Sequence, residues 1–183
     1  MLRHVEPVEE IAIDLIIQLQ TMTSEPIFIK MVLDAWHTHI KRTDELFDSL
    51  SDEQLMQEIA PGRNRGIYLL GHLAAVHDRI LPLLELGNPL YPELWVPFVE
   101  KPDKEVTELP TTQALRQYWK EINTNLDGNI SSMSPEAWFQ KHTSVSAEDF
   151  AKEPYRNKLN IIVNRTNHLA NHLGQLLLLK SKD

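Results

Sequence analysis

The chain of 183 residues contains no cysteine. That absence excludes disulfide frameworks, thiolate zinc ligands, cysteine nucleophiles and dithiol redox pairs, so any sulfur chemistry has to import its thiol. Glycine is scarce, at six residues, and no stretch alternates polar and apolar residues over a useful length; both argue against a strand-rich fold with many tight turns. No window approaches the ~20 apolar residues that a membrane-spanning helix needs. The apolar run Ile11, Ile13, Leu15, Ile16, Ile17 has Glu6, Glu9, Glu10 and Asp14 before or inside it, whereas a secretory signal has a basic start and an uninterrupted apolar core. A cytoplasmic protein with no membrane partner is expected. Positive charge is also short: 18 Lys and Arg against 26 Asp and Glu give a net charge of -8, which repels phosphate backbones and argues against a nucleic-acid partner.

What is present fits a soluble all-α domain. Hydrophobic residues make up 42% and charged residues 24%, and the length suffices for one core without staples. Ile11, Leu15, Leu19 and Met22 recur at helical spacing and predict a helix over 7–22, broken at Ser24-Glu25-Pro26. Residues 1–25 are therefore expected to form a helical N-terminal extension, with the bundle domain over 26–183. Val32, Ala35, Trp36, Ile40, Leu46, Phe47 and Leu50 trace one face of a first bundle helix from Phe28 to Leu50. A second helix is predicted from an Asn64 N-cap to about Leu86, frayed or kinked at Pro82 and stopped by Gly87. Gly87 to Pro110 holds five prolines and no period, and reads as an ordered crossover pinned by Trp95 and Phe98. A third helix is expected over 111–130, with Leu115, Tyr118, Trp119, Ile122 and Leu126 inward, and a fourth, the most apolar and central one, over 156–179. The long crossover lets helix three run parallel to helix two, so an up-down-down-up four-helix bundle is expected.

The fourth helix carries His168 and His172 at i and i+4, which places both imidazoles on one face, ~5–6 Å apart at Cβ. At that distance both nitrogens reach one ion. His72, among Leu69, Leu70, Leu73 and Val76 of the second helix, is the natural third ligand at mid-height. Three neutral imidazoles leave a divalent ion its full charge and an open coordination position. On spacing alone two readings stand side by side: metal ligands, or hydrogen-bonded core histidines. Position 169 is Leu, so the helix lacks the Glu of an HExxH protease and proteolysis is set aside.

Ile67-Tyr68-Leu69-Leu70-Gly71-His72-Leu73 and Asn167-His168-Leu169-Ala170-Asn171-His172-Leu173-Gly174-Gln175-Leu176 resemble the two signature segments of the DinB-like (DinB/YfiT) superfamily of metal-binding four-helix bundles. The resemblance extends over about residues 28–180. It implies an up-down-down-up bundle, a three-histidine site for zinc or nickel at His72, His168 and His172, and frequent homodimers. It also implies, in some branches, transfer or isomerisation reactions on small molecules with a low-molecular-weight thiol such as bacillithiol, mycothiol or glutathione as cosubstrate.

Around these ligands, His39 and Trp36 on the inner face of helix one are candidates for supporting or substrate contacts, as is Gln175, one turn past His172. His77 lies about 140° round the helix from His72 and does not share its ion on this phasing, but replaces it on another. Gly174 in mid-helix suits either a close approach or tolerated drift. His4, His37 and His142 are expected at the surface, and Arg63 and Arg65 as loop charge. The reading that follows is a metal-dependent enzyme, either an S-transferase or isomerase using a thiol or a hydrolase using water, acting on a small electrophile; the alternative is a non-catalytic stress-response bundle that binds a metal or a protein partner.

Overall fold

The computed structural model describes residues 8–180, with side chains from Ser24 onward; His4 lies outside them. In chain order the helices are α1 (Val8–Ser49), α2 (Asp52–Leu55), α3 (Gly66–Asp78), α4 (Ile80–Leu83), α5 (Thr112–Ser131), α6 (Pro135–Trp138), α7 (Ala147–Lys152) and α8 (Lys158–Leu176). Among the described residues there is no strand, only isolated bridges at Glu58–Arg65 and Lys141–Asn157. No described helix is long and apolar enough to cross a membrane.

The long helices α1, α3, α5 and α8 form the bundle, and side-chain pairings fix their directions. Arg116 at the start of α5 donates to the carbonyls of Phe47 and Leu50 at the end of α1, while His37, earlier in α1, meets Asp127, later in α5. The two helices are therefore antiparallel. Trp36, in α1, packs on His77 near the end of α3, while Leu55 of α2, just beyond the end of α1, packs on Gly66 at the start of α3, so α1 and α3 are also antiparallel. Gly66 meets Leu179 just beyond α8, and His72 meets His168, so α3 and α8 oppose one another. The topology is up-down-down-up.

Three boundaries differ from the sequence expectation, and the interruption expected from Pro82 is present. The expected break at Ser24-Glu25-Pro26 is absent: α1 continues through Pro26. Pro26 is exposed, so it removes one backbone hydrogen bond without displacing a packed neighbour. The second helix starts one residue later than expected, with Arg65 rather than Asn64 at the N-cap, and divides after Asp78. A proline ring clashes with the carbonyl four residues before it, and for Pro82 that residue is Asp78. The stop is made by Glu85 rather than Gly87: Glu85 takes φ 63° and the Leu86 amide closes onto the Leu81 carbonyl at 2.8 Å. The Glu85 carboxylate is held by Lys158 at 2.6 Å.

The central helix is α3, not α8. Every residue of α3 except His72 is buried, because α5, α8 and the crossover cover it on three sides. α8 buries one stripe, Leu159, Ile162, Thr166, Leu169 and Leu176, and ends in a 3₁₀ turn, Leu177–Leu179. The crossover is ordered as expected: Phe98 is fully buried, and its π-helical turn Val96–Glu100 lies against α3.

Candidate metal centre

His72 projects from α3, and His168 and His172 project from α8. Each is partly exposed, and one ring nitrogen from each lies within 4.8 Å of the others. The His168 Nε2 sits 3.2 Å from His72 Nε2 and 3.1 Å from His172 Nε2. Nitrogens that hold one ion tetrahedrally at ~2.0–2.1 Å are about 3.3–3.4 Å apart, so the two distances from His168 are compatible with a cluster that could hold a metal ion.

Hydrogen bonding on the far side of two of the rings, His72 and His172, sets which nitrogen faces inward. The Phe98 carbonyl lies 2.8 Å from His72 Nδ1; a carbonyl only accepts, so Nδ1 carries the proton and Nε2 presents its lone pair. Gln175 Oε1 accepts from His172 Nδ1 at 2.8 Å, with the same consequence. Two inward lone pairs then face His168 Nε2, whose single proton could serve only one of them. A cation at the centre would serve all three. The His168 Nδ1 is buried without a partner among the described residues.

Electrostatics keep the rings neutral. Burial pushes the His168 pKa down to about 4, helped by the charges of His172, His72 and Arg165. Burial also lowers His72, against the raising effect of the Phe98 carbonyl, and lowers His172, against the raising effect of Gln175. Neutral imidazoles are the metal-binding form, so protons do not compete for the site at neutral pH.

The crossover and α3 position His72 together. Tyr68, one turn before His72, stacks on the His72 ring at 6.3 Å and donates its hydroxyl to the Lys101 carbonyl at 2.7 Å. Gly71 faces the Phe98 ring so closely that a Cβ there would overlap three ring carbons. Sequence inspection missed this glycine and the Phe98 carbonyl. Gly71→Ala is expected to push Phe98 outward, cost about 1–3 kcal/mol in stability and loosen His72; thermal unfolding and metal affinity of the variant check both effects. Gly174, in contrast, is exposed and has open space around it, so no close approach explains it.

The other residues singled out from the sequence fall as follows. Gln175 supports His172 directly. His39 is half-buried, with Nδ1 on the carbonyl of Ala35 in its own helix. Trp36 is buried against His77, with ring centroids 4.8 Å apart. His77 stands outside the trio: it is fully buried between Trp36 and Trp119 and bonded to Asn123 Oδ1 at 2.9 Å. His37 is exposed, as expected, and meets Asp127. His142 is buried rather than at the surface, because the Thr143 amide bonds the Leu83 carbonyl and draws this loop onto α4. The charge of Arg65 is taken by Asp103 at 2.6 Å.

A profile of the DinB superfamily matches residues 35–176, a span that contains all three converging histidines. The chain belongs to the DinB superfamily. No curated protein matches it. Membership of the superfamily and a three-histidine cluster that could hold a metal ion are together compatible with a metal-binding protein.

Proposed function

We propose that this DinB-superfamily protein is a metal-dependent enzyme acting on a small electrophile, with His72, His168 and His172 as the ligands of a zinc or nickel ion. The observation that carries the reading is the convergence of three Nε2 atoms, two of them 3.1–3.2 Å from the third, on partly exposed rings. A bound divalent ion would supply a nucleophile at neutral pH by lowering the pKa of a thiol or water at its open position. The chain's own contribution is to hold three neutral imidazoles at fixed spacing, with Phe98 and Gln175 fixing the protonated side of two of them. With no cysteine in the chain, no internal thiol competes for the position.

The test uses untagged protein loaded with zinc or nickel. It is incubated with a low-molecular-weight thiol or with water alone and a panel of small electrophiles, and products are read by mass spectrometry. Metal-dependent conjugation, isomerisation or hydrolysis that disappears in chelator-stripped protein is expected. A stably bound ion with all coordination positions filled by protein, and no product from any pair, would overturn catalysis in favour of a non-catalytic bundle.

A further inference from the structure

Arg165 is the unexplained charge of this molecule. It lies on α8 three residues before His168 and seven before His172, which puts it about 60° from the first and about 20° from the second around the helix. All three side chains thus share one face. Arg165 is partly buried, yet among the described residues it has no hydrogen bond, ion pair or ring contact. Among the described residues, every other partly or wholly buried Lys or Arg has one. Arg65 holds Asp103, Arg116 holds two carbonyls and Asp52, Arg156 holds Glu153, and Lys158 holds Glu85. Its charge reaches the histidines, because it is one of the influences that lower His72 and His168.

A partly desolvated guanidinium with no partner is costly, and beside a dication it is more so. The three-histidine set brings no carboxylate to balance either charge. The guanidinium fork matches a carboxylate or phosphate with two parallel hydrogen bonds. We infer that Arg165 is the anion-recognition residue of this site, binding the carboxylate or phosphate group of a small molecule whose reactive atom lies at the ion. The inference rests on the metal-centre reading and narrows its substrate class to small oxyanionic compounds. It also places a local positive field inside a chain whose net charge is -8, so selection of an anion happens at the site rather than by long-range steering.

The experiment compares wild type with Arg165→Gln and Arg165→Lys after zinc loading, with zinc content measured by elemental analysis in each. Binding of acetate and of inorganic phosphate is followed by calorimetry, and the two anions separate carboxylate from phosphate preference. Arg165→Gln is expected to keep the wild-type zinc content and to weaken the preferred anion at least about tenfold, with Arg165→Lys between the two. Equal anion affinity in wild type and Arg165→Gln would overturn the assignment, as would no measurable anion binding by wild type. If wild type takes up no zinc, the metal reading fails separately. The anion comparison is then made on metal-free protein, where the same tenfold loss still supports Arg165 and its absence still overturns it. Removing an unpaired buried charge should leave the melting temperature at or above wild type. A fall of more than about 10 °C would make Arg165 a structural residue and end the proposal.

Discussion

His168→Ala is expected to abolish metal retention: wild type dialysed against zinc should keep about one ion per chain, and the variant only background. His168 is the hub of the cluster, because its Nε2 is the atom that approaches both His72 and His172. Without it, the remaining two imidazoles stand on different helices, and the pair that one helix turn holds rigidly at i and i+4 is lost. Removing a group that only orients a ligand typically costs ~10–100-fold in metal affinity, and Gln175→Ala, which strips the partner from His172 Nδ1, should fall in that range. His168→Ala should exceed it. Elemental analysis and competition against a chelator measure both variants. Equal zinc content in His168→Ala and wild type would remove His168 from the site.

The legible part of this molecule was the part set by local spacing. The i, i+4 histidine pair and the apolar stripe of α5, Leu115, Trp119, Ile122 and Leu126, are properties of single helices, and the structure has them as the periodicity requires. His72 was legible through its segment, yet its decisive features are tertiary. It is the sole residue of α3 that is not buried, and its inward nitrogen is chosen by the carbonyl of Phe98, 26 residues away. No period connects the two. Likewise, the sequence shows Arg165 one turn before His168, but the lack of a partner for it emerges only when every neighbour is placed. The expectation of a central, most apolar α8 fails on both counts: α3 is the more apolar helix, buried all round apart from His72, whereas α8 is amphipathic, with one apolar stripe and a polar face, and the crossover folds back over the remaining face of α3. Helix ends were the other weak point. Where Pro82 splits the second helix, and where Glu85 rather than a glycine takes the left-handed position, depends on backbone sterics and on the Lys158 partner that holds Glu85 in place.

Acid should unfold the metal-free protein through His77 as well as through the trio, and His77→Gln should flatten that dependence. His77 is fully buried, with the rings of Trp36 and Trp119 on either side and centroids 4.8 and 4.7 Å away. Its Nδ1 meets Asn123, and its Nε2 has no partner among the described residues. The charged or titratable groups that influence it are Arg165, His168 and His72, all of which disfavour a second positive charge. Burial, opposed by the Asn123 bond, pushes its pKa down to about 3, whereas an unfolded histidine titrates near ~6.5. Between those two values the unfolded chain carries a proton that the folded chain refuses. Stability is therefore full above about pH 6.5 and is lost as pH falls toward 3, at up to ~1.4 kcal/mol per pH unit for this one group. Asp44 and Asp78, raised by burial, work in the opposite direction at the acid end. Glutamine at position 77 offers an N–H to Asn123 but does not titrate. Denaturant unfolding of metal-free protein from pH 7 to 4 should show a variant that is less stable at pH 7 and shallower in its decline, by as much as one proton's slope. Parallel declines for the two proteins would show that His77 takes up its proton in the folded state as readily as in the unfolded one.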